Sequence, residues 1–239
     1  MESQSLVKNR KLNIIITMSL QNDFAEPIEN NMSKIDIDKK YGHKIHIDAN
    51  ETNRIWKNGL KEFAIDMIAK ADVVNKQNAD TSYHFLHLRD YHDNTDLTQR
   101  AELDYFGNHC IRGTHGVKFV EPLDELITKN LSFNLAVNSN SINSFVGTNL
   151  AEDLEAIRES CGCDKIDTQI GIIGLITNVK VMFLAYDLSI TYGYPNVFLC
   201  KDLCAGFDKM GHDRGIELIS AVNLARVQTI DEFRIQFGF

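Results

Sequence analysis

The segment LNIIITMSL at residues 12–20 is the strongest constraint on the fold, because it is a continuous apolar run rich in β-branched side chains. Such a run predicts a strand buried on both faces, as in a parallel sheet covered by helices. Shorter strand-like segments are predicted further along the chain at 81–90, 131–139, 167–175, 196–202 and 225–231. Segments with helical spacing or helix start signals lie at 51–74, 119–129, 148–160, 177–193 and 210–223.

The alternation of strands and helices predicts parallel βαβ units with right-handed crossovers. We therefore expect a single domain over residues 1–239 with a three-layer α/β/α architecture. Its central sheet is expected to be mostly parallel, with about six strands, in a Rossmann-like arrangement. Ligands of such sheets bind beyond the carboxyl ends of the strands. The polar segment 25–50 is too long for a simple βα turn, so we interpret it as a flap over the site or an oligomer contact.

Composition excludes several classes of function. The chain carries 25 basic and 33 acidic residues, a net charge of −8, which argues against a nucleic-acid partner. It has no run of 18 apolar residues, so no membrane span is expected, and its polar N-terminus lacks the apolar core of a signal peptide. The five cysteines are an odd count in a mid-sized chain and predict reduced thiols in a cytoplasmic protein.

One charge is out of place. Lys180 lies in the segment GIIGLITNVKVMFLAYD at the start of an otherwise apolar predicted helix, where a charge is costly without a role or a partner. Three interpretations are open. Lys180 is a structural cation paired with a nearby acid such as Asp23, a solvated remnant in an open pocket, or an amine whose lowered pKa makes it a nucleophile or base.

Five segments carry a resemblance in the correct chain order. They are SLQNDF at 19–24, RDYHD at 89–93 with GNHCIRGTHG at 107–116, SINSFVGTNL at 141–150, GLITNVKVMFLAYDLSITYGY at 174–194, and CKDLCAGFD at 200–208. Together they resemble the isochorismatase-like cysteine hydrolase superfamily, in particular its nicotinamidase-like branch. The resemblance implies hydrolysis of a small amide or related C–N bond, in which a cysteine thiolate attacks, an aspartate acts as base and a lysine holds the assembly.

All three catalytic positions of that superfamily are replaced in this chain. The aspartate falls on Ser19, the lysine on Ser139 (or on Asn138 with a one-residue slip), and the cysteine on Lys180. We therefore expect a pseudoenzyme that binds a small-molecule ligand or serves as a structural or regulatory subunit. The alternatives are a hydrolase with rebuilt chemistry, using Lys180 or a metal-bound water, and a conventional amidohydrolase whose alignment is shifted.

The resemblance also implies the pocket and its surroundings. The pocket residues carried over are Asp23, Phe24, Asn138, Leu175, Ile176 and Thr177. The Leu175–Ile176 bond occupies the place of an unusual cis peptide. Relatives commonly form dimers or tetramers, so a homo-oligomer or a complex with a related subunit is expected.

The metal-binding positions of the resemblance are matched better in this chain than its three catalytic positions. Asp90, His92 and His109 match the divalent-metal ligands of nicotinamidases, and such a donor set suits Zn²⁺, Mn²⁺ or Fe²⁺. A further histidine that some relatives carry is absent, with Asp96 or Thr98 nearby. The alternative is that His92 is a surface loop residue and that His109 only holds the loop by a hydrogen bond.

Overall fold

The computed structural model describes residues 10–27, 47–77, 80–129 and 132–239. In these ranges the chain forms a six-stranded sheet of order β3-β2-β1-β4-β5-β6, in which all neighbours are parallel. The strands are β1 Lys11–Met18, β2 Thr81–Asp90, β3 Asn134–Ser139, β4 Thr168–Leu175, β5 Val197–Ala205 and β6 Arg226–Gln228. The predicted α/β architecture and the number of strands are confirmed.

Strand β1 lies at the centre of the sheet and packs on both faces. Its side chains alternate between two apolar cores, with Ile15 in one and Ile14 and Ile16 in the other. Because successive side chains of a strand point to opposite faces, a strand buried on both sides needs an unbroken apolar sequence. This requirement explains the segment that begins at Leu12.

Helices cover the two faces of the sheet. They are α1 Asn22–Ala25, α2 Ala49–Lys57, α3 Leu60–Gln77, α4 Arg100–Phe106, α5 Leu123–Thr128, α6 Leu150–Cys161, α7 Met182–Tyr186, α8 Lys209–Ala221 and α9 Ile230–Phe237. Two π-helical turns, Thr177–Val181 and Asp187–Thr191, flank α7 and make one continuous helical segment after β4.

Several predicted boundaries are wrong for local reasons. The helix predicted at 51–74 is two helices, because Gly59 adopts φ = +89° between α2 and α3. The strand predicted at 225–231 ends at Gln228, because Thr229 and Glu232 form a reciprocal capping box that starts α9. Neither α9 nor the short α4 was predicted.

Some expectations stay predictions. Residues 28–46 lie outside the described residues, so the interpretation of segment 25–50 as a flap or oligomer contact is untested, as is the single-domain assignment of residues 1–239. Among the described residues, no helix is both long enough and apolar enough to span a bilayer.

Candidate functional site

The carboxyl ends of four adjacent strands bring the candidate residues together. Ser19 follows β1, Asp90 ends β2, Ser139 ends β3, and Lys180 lies in the π-helical turn after β4. Asp90 and Ser139 are register partners in the β2–β3 pair. All four side chains are buried, and even the long Lys180 is only 4% exposed. We call Ser19, Ser139 and Lys180 the nucleophile corner, after the positions they occupy in the resemblance.

Lys180 is a buried cation in an ion pair. Its Nζ lies 2.5 Å from Asp90 Oδ1 and 3.6 Å from Glu102 Oε1, and it donates to the Ser141 carbonyl at 3.4 Å. Burial favours the neutral amine, but the two carboxylates outweigh it and raise the pKa of Lys180. The burial excludes the interpretation as a solvated remnant, and the raised pKa contradicts the interpretation as a nucleophilic amine.

The partner of Lys180 is therefore Asp90, where the sequence suggested Asp23. Asp23 accepts a hydrogen bond from the Cys110 backbone N–H at 2.7 Å. It helps to hold the loop after β1 against the loop that carries His109.

The two serines of the nucleophile corner have different surroundings. Ser19 adopts φ = +48°, and its buried Oγ has no hydrogen-bond partner among the described residues. Ser139 Oγ donates to the Ser141 carbonyl at 3.0 Å. Asn138, the alternative to Ser139, is exposed and accepts from Arg89 Nε at 2.6 Å. Serine needs a basic partner to attack, and neither serine is hydrogen-bonded to one.

A cluster of metal-ligating side chains lies next to Lys180. Asp90, His92, Glu102 and His109 each offer one ligand atom, and these atoms lie within 4.8 Å of one another. Asp90 Oδ2 is 3.5 Å from His109 Nε2 and 4.0 Å from His92 Nε2, and Glu102 Oε1 is 3.9 Å from His92 Nε2. We call these four residues the metal corner.

Sequence reasoning missed Glu102. The residue lies on α4, whose seven residues were not recognised as a helix. Asp96 and Thr98, near the place of the histidine that is absent, are not part of the cluster; Asp96 caps the turn at Leu97–Gln99 by accepting from the Thr98 backbone N–H at 2.9 Å. The ten-residue spacing from His92 to Glu102 carries no local signal, and the two meet only through the packing of α4.

Hydrogen bonds fix which ring nitrogens face the centre of the cluster. His109 Nδ1 lies 2.7 Å from the Gly107 carbonyl, which only accepts, so Nδ1 carries the proton. His92 Nδ1 lies 3.1 Å from Gln99 Oε1, and that oxygen also accepts the Asp93 backbone N–H at 3.1 Å. In the neutral form of each ring the Nε2 lone pair is therefore directed inward, as in histidines that bind metals.

The inward-facing atoms are unpaired within the part of the chain that the structure describes. There, Asp90 Oδ2, His92 Nε2 and Glu102 Oε1 are buried without a hydrogen-bond partner. Buried polar atoms are rarely left unpaired, and several acceptors that face one another repel. Two imidazoles and two carboxylates form a donor set that fits Zn²⁺, Mn²⁺ or Fe²⁺. His92 is fully buried, which contradicts the alternative that it is a surface loop residue.

The protonation states suit the same role. Burial opposes ionisation of Asp90, but the Lys180 ammonium and the two neighbouring histidines hold the pKa of its carboxyl well below the ordinary range. Burial lowers the pKa of His92 to about 4, so this ring is neutral at pH 7. Burial raises the pKa of Glu102.

The remaining pocket is small. A cavity of about 10 Å³ lies between the metal corner and the helical segment after β4, and a space of this size holds about one water molecule. Its walls are Phe24, Glu102, Phe106, His109, Ile142, Ile176, Val179, Lys180 and Phe207.

Of the six pocket residues carried over, Phe24 and Ile176 line this cavity, whereas Asp23, Asn138, Leu175 and Thr177 are not among its walls. The Leu175–Ile176 peptide bond is cis, as the resemblance implies. Leu175 is buried in the apolar core, and Thr177 is hydrogen-bonded through Oγ1 to His212 Nδ1 at 2.9 Å.

The two cysteines of β5 are candidates for the nucleophile if the alignment with the superfamily is shifted. Cys200 and Cys204 lie on that strand and are buried. Burial raises the pKa of Cys200 to about 12 and raises that of Cys204 as well. A thiol attacks only as the thiolate, so neither is poised for nucleophilic chemistry at neutral pH.

Comparison with known proteins agrees with the fold. No curated protein matches the chain by sequence. A nicotinamidase/pyrazinamidase from Bacillus subtilis superposes with a TM-score of 0.65 at 18% identity, covering 90% of this chain and 98% of that one. An isochorismatase-like hydrolase from Alkaliphilus metalliredigens gives 0.60 at 20% identity, covering 95% and 99%.

A third similar structure was solved with a metal. It is a pyrazinamidase of Pyrococcus horikoshii in complex with zinc, with a TM-score of 0.59 at 18% identity, covering 92% of this chain and 99% of that one. At these identities the structures show a shared fold. The profile of the Isochorismatase domain family matches residues 45–232, which is most of the chain, and the protein belongs to that family.

Proposed function

We propose that this protein is a metal-binding pseudoenzyme of the isochorismatase family, which has lost the cysteine-hydrolase reaction. It would act by binding a small ligand or as a structural or regulatory subunit. One observation supports the proposal: Lys180, at the position where the resemblance has the nucleophile, binds Asp90 through its ammonium at 2.5 Å.

The ion pair is incompatible with nucleophilic attack. An ammonium has no lone pair, and the carboxylates that raise the pKa of Lys180 keep the proton on it. Ser19, in the base's position, has no ionisable group at neutral pH. The corner therefore lacks both the nucleophile and the base that amide hydrolysis by the family reaction needs.

The shape of the pocket supports the same proposal. Small-molecule sites usually enclose about 300–1,000 Å³, whereas about 10 Å³ is open beside Lys180. The lysine side chain reaches from the position of the nucleophile in the resemblance to Asp90 and forms one wall of this space.

The metal corner favours a second candidate, a hydrolase that uses a metal-bound water. When bound, a divalent metal supplies Lewis acidity and a nucleophilic hydroxide near neutral pH. Asp90, His92, Glu102 and His109 would hold it. Lys180 would then serve only as a charge beside the site.

A screen for ammonia release separates these candidates. Purified protein, metal-free or loaded with Zn²⁺, Mn²⁺ or Fe²⁺, is incubated with nicotinamide, pyrazinamide and other small amides. The proposal predicts no turnover above the heat-inactivated control under any condition. Turnover that needs metal and survives Lys180→Ala would establish the second candidate, and turnover abolished by Lys180→Ala would refute the pseudoenzyme.

We also propose self-association of the chain. Phe183, Tyr186 and Ile190 lie on one side of the helical segment after β4 and are 41%, 48% and 58% exposed. An exposed apolar face of this kind favours a protein contact. Light scattering should give at least a dimer, and Ile190→Asp should shift it towards the monomer, whereas a monomeric wild type would refute the proposal.

A further inference from the structure

The Lys180 ammonium shares its two carboxylate partners with the metal corner. Nζ binds Asp90 through Oδ1, while the other oxygen, Oδ2, faces the two histidine Nε2 atoms. Nζ also lies 3.6 Å from Glu102 Oε1, the oxygen directed at His92. A divalent ion in the metal corner would therefore bind carboxylates that are already partly neutralised.

We infer that Lys180 is an internal cation that sets the metal affinity of this site by competing for the charge of Asp90 and Glu102. The inference rests on the proposed metal binding and adds a role for the residue that replaced the nucleophile. The lysine would weaken metal binding and make occupancy depend on the metal concentration.

Electrostatics gives the direction of the effect. Two like charges a few ångströms apart in a buried site repel strongly, because little water screens them. Without metal, the ammonium stabilises the two carboxylates. With metal, it opposes the incoming charge, so its removal should favour the bound state over the free one.

The alternative is that Lys180 helps the metal by orienting Asp90. The structure offers another support for this residue. Gln21 binds the Asp90 backbone on both sides, accepting from the N–H at 2.7 Å and donating to the carbonyl at 2.8 Å. The backbone of Asp90 at the end of β2 is therefore held without the lysine, and the cobalt spectrum described below separates the charge of Lys180 from an effect on the orientation of the carboxylate.

The geometry allows lysine and metal to be present together. Because Lys180 binds Oδ1 and the ligand atom of the cluster is Oδ2, the two cations address different oxygens of one carboxylate. The Ser141 carbonyl, 3.4 Å from Nζ, offers the ammonium a neutral partner after Glu102 is taken by the metal. We therefore expect weakened binding, not exclusion.

Zinc titration against a competing chelator tests the inference. The wild type is compared with Lys180→Met and Lys180→Gln, which remove the charge, and with Lys180→Arg, which keeps it. We expect the Met and Gln variants to bind Zn²⁺ at least ten-fold more tightly, and the Arg variant to stay within about three-fold of the wild type. Circular dichroism confirms folding, and if Lys180→Met does not fold, the Gln and Arg pair carries the comparison.

Cobalt provides a second readout. Visible absorption of bound Co²⁺ reports the ligand set, so an unchanged spectrum in Lys180→Gln would show that the affinity change is not a change of ligands. Equal or weaker zinc binding in both neutral variants would overturn the role of Lys180 and leave the metal site standing. Absence of zinc and cobalt binding in every protein, the wild type included, would overturn both this inference and the metal-binding proposal.

Discussion

The two corners of the site differ in how they are built. The metal corner has four residues with ligand atoms, and its two imidazoles are directed inward by the hydrogen bonds that their Nδ1 atoms donate to the Gly107 carbonyl and to Gln99 Oε1. The nucleophile corner has two serines without a base and a lysine tied to Asp90. The donors of the metal corner lie on β2, on α4 and in the loops that follow them, apart from the helical segment that carries Lys180. Lys180 belongs to the nucleophile corner and joins the two corners through its contacts with Asp90 and Glu102.

The largest effect is expected from replacing Asp90, because this residue pairs with Lys180 and is also one of the four residues of the metal corner. Asp90→Asn leaves the Lys180 ammonium buried without a counter-ion, which should lower the free energy of unfolding by about 3–5 kcal/mol. It should also abolish zinc binding. Urea denaturation of metal-free protein measures the first effect.

Asp104→Asn is the matched control, because Asp104 makes an exposed ion pair with Arg100. Such surface pairs contribute about 0–1 kcal/mol. A loss in Asp90→Asn no larger than in this control would mean that the buried pair is not formed.

The pH dependence of stability separates the metal corner from histidines buried elsewhere. His87 lies in the sheet, fully buried, bonded to Thr17 Oγ1 at 2.8 Å, and burial lowers its pKa to about 4. The unfolded chain, with a histidine pKa near 6.5, binds the proton more readily. The free energy of unfolding should therefore fall by about 3 kcal/mol for this group as the pH drops from about 6.5 to 4.

His92 should add a similar loss in the metal-free protein, because burial lowers its pKa to about 4 as well. Zinc should steepen the pH dependence in the wild type, since bound imidazoles must be free of protons at Nε2. Urea titrations from pH 7.5 to 4.5 with His87→Gln and the wild type measure both parts. A flat profile in the wild type would contradict the assigned protonation states.

Replacing Gln99 tests whether a hydrogen bond from outside the metal corner orients the His92 ring. Gln99→Leu removes the acceptor that fixes the His92 ring, and loss of such a partner usually weakens metal affinity 10–100-fold. Chelator competition measures this change. Gln236→Leu on α9 serves as the control and should bind zinc as the wild type does; equal affinities in all three proteins would show that the Gln99 contact is unimportant.

The smallest expected effects are the changes in stability when each of the two serines is replaced by alanine. Ser19→Ala removes a buried hydroxyl that has no hydrogen-bond partner among the residues that the structure describes, so stability should be unchanged or rise by up to about 1 kcal/mol. Ser139→Ala breaks the bond to the Ser141 carbonyl and should cost about 1 kcal/mol. Thermal unfolding of the pair checks the order, and a larger loss for Ser19→Ala would mean that its hydroxyl has a structural partner.

The sequence predicted the parts of this protein that depend on periodic patterns and on strand ends. The apolar run at 12–20 indicated a parallel sheet, and the ends of β1, β2 and β3 hold Ser19, Asp90 and Ser139. Parallel strands end at one edge, so these positions follow from the order of elements alone.

What the sequence did not predict depends on packing between distant segments. Glu102 reaches the cluster only because the short helix α4 folds against the end of β2. Lys180 pairs with Asp90, ninety positions earlier in the chain, whereas the acid suggested from sequence, Asp23, turns to the Cys110 backbone. Asp23 follows β1 and Asp90 ends β2, so both lie near the carboxyl ends of neighbouring strands. Which of the two meets Lys180 depends on the path of the loop after β1.

The most direct test of the central claim is the rate of ammonia release from nicotinamide by zinc-loaded protein, with the family's catalytic residues restored. The combined variant Ser19→Asp, Ser139→Lys and Lys180→Cys replaces the nucleophile corner and leaves the metal corner unchanged. We expect no turnover by the wild type and measurable turnover, at least ten-fold above the assay background, by the variant. Turnover by the wild type at a rate equal to or above that of the variant would contradict this claim.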